Sequence, residues 1–200
     1  MPGITVHLDE KLIATINLAR LEVFHVTAHG ALDQDPKASL DAMGGQYSDK
    51  AASGFWIWIT ELELRSEQMV EVFFVDQCGD GESGKTVDEL CPDKEESNQT
   101  DFRITPELAE EIRARPQLHE DFTVLVHTSQ GQRAVATSSE RNTSFRFSVG
   151  WNWTEPDKAR VSLGTYCLDD VIARRSGAEH LETKLSFGDS ATFTLMPANK

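Results

Sequence analysis

The sequence predicts an all-β fold, an antiparallel β-sandwich or jelly roll carrying two or three short helices. Three observations lead there. Residues 144–153 alternate without a break: Phe145, Phe147, Val149, Trp151 and Trp153 fall on one side, Ser144, Arg146, Ser148, Gly150 and Asn152 on the other. That two-residue period is the signature of a half-buried strand. Roughly ten short runs of this kind recur at hairpin spacing between turn residues, the pattern of sandwiches and jelly rolls. The β-helix-β alternation that builds a parallel sheet does not appear.

From the start of the chain, residues 4–8, 11–18 and 21–29 read as strands. Residues 36–43 read as a short helix stopped by Gly44 and Gly45. Residues 55–64 form the next strand. Its first half, Phe55, Trp56, Ile57, Trp58 and Ile59, is apolar on both faces, whereas Leu62 and Leu64 alternate with Glu61 and Glu63. This predicts a central strand covered on both sides at one end. Residues 69–75 follow after the polar break 65–68, so the two strands are expected to pair as a hairpin. Residues 77–101 read as one long acidic loop inside a single domain spanning 1–200. A helix is predicted from Thr105, a cap, through Pro106 at the first helical position, with Leu108 and Ile112 on one face and Pro116 beyond its end. Residues 122–128 and 133–137 flank Ser129-Gln130-Gly131-Gln132, a hairpin turn. After the strand at 144–153 comes a weaker one at 160–163. Residues 169–175 have acids first and arginines last, matching a helix dipole, with Gly177 just past them. Leu181, Thr183, Leu185 and Phe187 then alternate with polar residues, and Gly188-Asp189 turns the chain into a last strand at 191–196.

Composition narrows the function classes. A chain of 200 residues can bury a core without disulfides or metals. Its three cysteines, Cys78, Cys91 and Cys167, supply neither a disulfide framework nor paired metal knuckles. The net charge of -14 repels phosphate, which argues against nucleic acid and anionic membranes as partners. The same field favours a basic protein surface or a divalent cation. The opening residues lack a basic region followed by an apolar one, and no run approaches a membrane span, so a cytoplasmic location is expected. The sequons at Asn98, Asn142 and Asn152 are then chance matches. Long β pairing is also compatible with an edge-paired homodimer.

Residues 79–86, Gly-Asp-Gly-Glu-Ser-Gly-Lys-Thr, satisfy G-x-x-x-x-G-K-[ST]. They resemble the phosphate loop of heterotrimeric G-protein α subunits, whose loop carries Gly-Glu-Ser-Gly-Lys. The resemblance covers eight residues. It implies nucleotide binding, in which Gly79 and Gly84 let backbone N–H groups cradle phosphates, Lys85 reaches the outer phosphate oxygens and the Thr86 hydroxyl holds Mg²⁺. The surrounding sequence points elsewhere. A phosphate loop opens into a substantial helix, but here Pro92 arrives six residues after Thr86 and a charged run follows. The strand at 122–126 is followed by His127 rather than a magnesium-binding Asp, and the guanine-selecting Asn/Thr-Lys-x-Asp motif does not occur.

Between Asp76 and Asp101 nine acids face two lysines. Asp76, Asp80 and Glu82 fall at positions 1, 5 and 7 of an EF-hand count with Gly81 at position 6, although Cys78 and Val87 break the pattern at positions 3 and 12. These three are the candidate ligands for Ca²⁺ or Mg²⁺, against the plainer reading of a solvated loop. His25 and His29 share a face and can begin a zinc site, though a third ligand is not evident. Trp56 and Trp58, and Trp151 and Trp153, are same-face pairs that can floor a sugar or small-ligand site, or belong to the core. No catalytic residues are assigned, and the sequence leans away from an enzyme. The leading expectation is a non-catalytic acidic binding module, of inhibitor or immunity type, that engages a basic partner or a divalent cation. Nucleotide binding at 79–86 and carbohydrate or small-ligand binding on a tryptophan face are the alternatives.

Overall fold

The computed structural model describes residues 1–48, 54–92 and 104–197. Twelve strands form two antiparallel sheets of six that pack face to face as a β-sandwich. The strands are β1 (Gly3–Leu8), β2 (Lys11–Asn17), β3 (Val23–Ala31), β4 (Ala38–Gln46), β5 (Gly54–Glu63), β6 (Met69–Val75), β7 (Thr123–Thr128), β8 (Arg133–Thr137), β9 (Ser144–Asn152), β10 (Ala159–Tyr166), β11 (Ala178–Leu185) and β12 (Ser190–Leu195). The first sheet runs β2-β1-β6-β12-β7-β8 and the second β11-β10-β9-β3-β4-β5. Three short helices, α1 (Val87–Leu90), α2 (Pro106–Ala114) and α3 (Leu168–Ile172), lie outside the sheets. No helix among the described residues is long and apolar enough to cross a membrane.

Alternation dictates the packing. On β9, Phe145, Phe147, Val149 and Trp151 turn inward, while Arg146 and Asn152 on the opposite side are exposed. Phe193 of β12, in the other sheet, stacks against both Phe145 and Phe147 with ring centroids 5.8 and 5.5 Å apart. All three rings are fully buried, so this aromatic layer joins the sheets at their centres. Among the described residues, no buried side-chain nitrogen or oxygen lacks a hydrogen-bond partner.

Three sequence expectations are corrected. Residues 36–43 contribute to β4 rather than a helix. Ala38, Leu40 and Ala42 point into the core, and the strand pairs with β3 on one side and β5 on the other. Ala, Leu and Met favour helix, but pairing with two strands overrode that preference. The segments 55–64 and 69–75 do not form a hairpin. β5 pairs with β4, whereas β6 pairs with β1 and β12 in the opposite sheet. Residues 65–68 instead carry the chain across the sandwich, held by Leu64 N–H donating to Ala38 O and Glu67 N–H to Leu195 O, at 2.9 and 2.7 Å. β5 is also an edge strand rather than a central one.

The helix expected from Thr105 is α2, with the Thr105 hydroxyl accepting from Leu108 N–H at 3.3 Å. The helix expected at 169–175 is α3, one turn capped at Cys167. In the acidic segment 77–101, residues 93–101 lie outside the described residues, Asn98 among them.

Both open sides of the sandwich are closed. On one, the β7–β8 turn is tied to the β11–β12 turn, with Gln130 Nε2 donating to Asp189 Oδ2 at 2.6 Å and to Lys184 O at 3.3 Å. On the other, residues 78–86 cross from the first sheet to the second as a strap over the edges of β2 and β5.

Candidate functional site

The strap holds the phosphate-loop-like residues, and its polar groups are committed to the sandwich. Cys78 N–H donates to Met1 O and Glu82 N–H to Thr15 O, both at 2.8 Å. Lys85 and Ile57 exchange both backbone hydrogen bonds at 2.8 Å, so Lys85 pairs briefly with the edge of β5. The Thr86 hydroxyl caps α1, accepting from Glu89 N–H at 3.2 Å, while Glu89 Oε2 accepts from Thr86 N–H at 2.7 Å. The Thr86 N–H, together with the Thr86 hydroxyl donating to the same Oε2 at 3.1 Å, holds the Glu89 carboxyl below its usual range. The glycines have a packing reason. A Cβ on Gly84 would lie 2.8 Å from Trp56 Cβ and 2.9 Å from Trp58 Cε2, and one on Gly81 would lie 2.6 Å from Asn17 N. Gly79 has open space around it. Only the four-residue α1 follows, with no buried residue, in place of the long helix a phosphate loop opens into.

The four tryptophans occupy three different places. Trp56 and Trp58 pack partly buried under the strap, and Trp58 Nε1 donates to Glu82 O at 2.8 Å. Trp151 is a core residue, 4% exposed, and its indole N–H donates to Pro156 O. Trp153, just beyond β9, is 59% exposed. Asp76, Asp80 and Glu82 are all exposed. Among the described residues, no three His, Cys, Asp or Glu side chains converge into a set that could hold a metal ion. His29, instead of starting a zinc site, hydrogen bonds through Nε2 to Asp41 Oδ2 at 2.7 Å.

A broad concavity lies on the outer face of the second sheet. Strand register sets its floor. Arg146 on β9 stands between His29 on β3 and Gly164 on β10, Ser148 between Thr27 and Ser162, and Gly150 between His25 and Arg160. Small residues thus line the middle of a trough with longer polar ones beside them. The hydroxyls of Ser148 and Ser162 lie 3.0 Å apart. Gly150 makes room for the His25 ring, since a Cβ there would sit 2.9 Å from Nδ1. One wall is the chain after α3. Gly177 presses so closely on β10 that a Cβ would fall 1.9 Å from Thr165 O, which brings Arg175 to the rim. The cavity measures about 620 Å³, within the range of small-molecule sites.

Its lining is richer in cations than the chain as a whole. Three arginines, Arg146, Arg160 and Arg175, line it against the single acid Glu179, in a protein of net charge -14. Arg160 is paired with Glu182 at 2.6 Å and Arg175 with Asp170 at 3.4 Å. Among the described residues Arg146 has no ion-pair partner. Its field is felt throughout the site. Burial lowers the His25 pKa and the charge of Arg146 lowers it further. Burial raises the Tyr166 pKa, with Arg146 opposing. Burial also pushes the Asp41 carboxyl up, but hydrogen bonds from His29 and the Glu61 N–H, with the charges of His29 and Arg146, outweigh it and leave the pKa below the usual range. An unpaired guanidinium beside the Ser148 and Ser162 hydroxyls is equipped to receive an anion.

Reasoning from sequence brought forward His25 and His29 but missed Arg146, Arg160, Arg175 and Tyr166. The signal lay in the outward half of the 144–153 alternation, where a lone arginine sits among Ser, Gly and Asn. The inward half, with its aromatics, drew the attention. No protein-family model, curated protein or solved structure matches the chain.

Proposed function

We propose that this protein is a non-catalytic binding module whose ligand is a small anion held in the trough between β3, β9 and β10. The observation that carries this reading is the guanidinium of Arg146, without an ion-pair partner among the described residues, in the floor of a cavity in an acidic chain. An unmatched cation within a negative exterior favours an anion at that one place, because the rest of the surface repels it. Binding is proposed rather than catalysis because the Ser148, Ser162 and Thr165 hydroxyls and the Cys167 thiol are each hydrogen-bonded within the protein, Ser148 to Ser162 at 3.0 Å. Thr165 is buried and bonded to His180 Nε2 at 2.8 Å, and the Cys167 thiol donates to Asp170 at 3.3 Å.

The test is titration with inorganic phosphate, citrate and butyrate, followed by amide chemical shifts. Shifts are expected to cluster on β3, β9 and β10. Arg146→Ala is expected to weaken binding about tenfold or more, the value of a charge-assisted hydrogen bond. Equal affinity in wild type and variant would overturn the reading.

A second reading keeps the basic partner. Asp76, Asp80, Glu82, Asp88 and Glu89 are all exposed along the strap and α1, and this acidic ridge suits electrostatic steering. It requires association that slows steeply with salt, and salt-independent association would remove its basis.

A further inference from the structure

We infer that the trough is the head-group half of a longer site, and that its ligand is an amphiphilic anion: an aliphatic chain ending in a carboxylate or similar group. This rests on the anion-binding reading of the trough and extends it. A second hollow of about 530 Å³ lies at the end of the sandwich, between α2, α3 and the end of β3. Tyr166 and Val171 line both hollows, so the two share a wall. Arg146 and its cross-strand neighbour His29 stand on either side of that junction, one in each lining.

The two halves differ in chemistry. In the trough an arginine is left without a partner among the described residues. In the second hollow the arginines are already matched, Arg113 with Asp169 at 2.8 Å and Arg115 with Glu111 at 3.4 Å. With those arginines matched, Ile112, Leu168 and Val171 give the second hollow an apolar side, beside the polar Asp33, Gln117 and Glu140. Val171 is 45% exposed and Ile172 39% exposed on a helix of five residues. An exposed Val171 on the wall the two hollows share, with an unpaired guanidinium in the trough, fits a ligand with an apolar tail and an anionic head. The head sits at Arg146 with the Ser148 and Ser162 hydroxyls. The tail passes Tyr166 and covers Val171.

Straight-chain carboxylates of increasing length test this, each below its micellar concentration and followed by amide shifts. Butyrate, hexanoate and octanoate are expected to bind with affinity rising by up to about fourfold per added methylene, the value of one buried CH₂. Shifts are expected to spread from β9 and β10 into α3 as the chain lengthens. Arg146→Ala should weaken butyrate and octanoate by a similar factor. Val171→Asn, at an exposed position on the shared wall, should weaken octanoate by more than it weakens butyrate. Arg146-dependent binding with no gain from chain length, or no effect of Val171→Asn on octanoate, would overturn the amphiphile and leave the anion site standing. Failure of every carboxylate to bind, or binding indifferent to Arg146→Ala, would overturn both.

Discussion

Gly84→Ala separates the strap from a phosphate loop. Gly84 is not among the residues with positive φ, so alanine can adopt its backbone and the cost is one of contact. The new methyl would lie 2.8 Å from Trp56 Cβ and 2.9 Å from Trp58 Cε2, where ordinary contact begins near 3.4 Å. Trp56 Cβ is fixed to the backbone of β5 and cannot swing aside, so the strap must lift by roughly 0.6 Å. Three hydrogen bonds stand in the way: the two between Lys85 and Ile57 and the one from Trp58 Nε1 to Glu82 O, all at 2.8 Å. At about 1 kcal/mol each, their complete loss sets a ceiling near 3 kcal/mol, and overpacking alone costs about 1–3 kcal/mol. We expect a loss of about 1–3 kcal/mol, with a Tm fall of roughly 2–4 °C for each kcal/mol in a domain of this size. Urea unfolding measures the first and a thermal melt the second. Amide exchange should quicken at Ile57 and Lys85. Gly79→Ala is the control: with nothing within 4 Å of its Cβ, it should be neutral or slightly stabilising. If both variants were equally stable and the Ile57 amide stayed protected, the strap account would fail. A phosphate loop would instead register these changes in nucleotide affinity.

Two further outcomes follow from the core and from the trough. Phe193→Ala removes the ring that stacks on both Phe145 and Phe147 and should cost about 3–5 kcal/mol; a loss no larger than that of Val135→Ala, at a position 49% exposed, would refute the central aromatic layer. His25 has a lowered pKa in the folded protein, so the unfolded chain takes up the proton first as pH falls through about 6.5. Stability conferred by the neutral ring is therefore full above that pH and declines below it, toward the folded pKa. His25→Gln should flatten this part of the stability–pH curve, and a wild-type-minus-variant difference that stays constant between pH 7.5 and 5 would refute it.

The strands were legible because each writes its own period. Residues 144–152 alternate in the sequence as they do across the sandwich, since one face of the strand lies against a core that repels polar side chains. Pairing partners were not legible. The break at 65–68 has the length of a hairpin turn, and nothing local states that it crosses between sheets about 10 Å apart. Helix-favouring residues at 38–43 hid an alternation that was present: Ala38, Leu40 and Ala42 inward, Ser39, Asp41 and Met43 outward. The trough was out of reach for a similar reason. His25, Arg146, Arg160 and Arg175 are far apart along the chain, and only the register of β3, β9 and β10 brings them to one hollow. The phosphate-loop pattern shows the reverse hazard. Its glycines are required, but by two indoles and a strand edge that no motif encodes.

The placement of β12 bears on how the protein is made. Residues 190–195 come late in the sequence, yet they lie in the middle of the first sheet, paired with β6 on one side and β7 on the other. While the chain is being synthesised, β6 and β7 have no partner along those edges, and Phe147 has no Phe193 ring to stack on. The second sheet can assemble on the ribosome; the first cannot close until residues 190–195 have emerged. Until they do, the nascent chain holds two unpaired strand edges and an uncovered aromatic ring, the kind of species that chaperones attend.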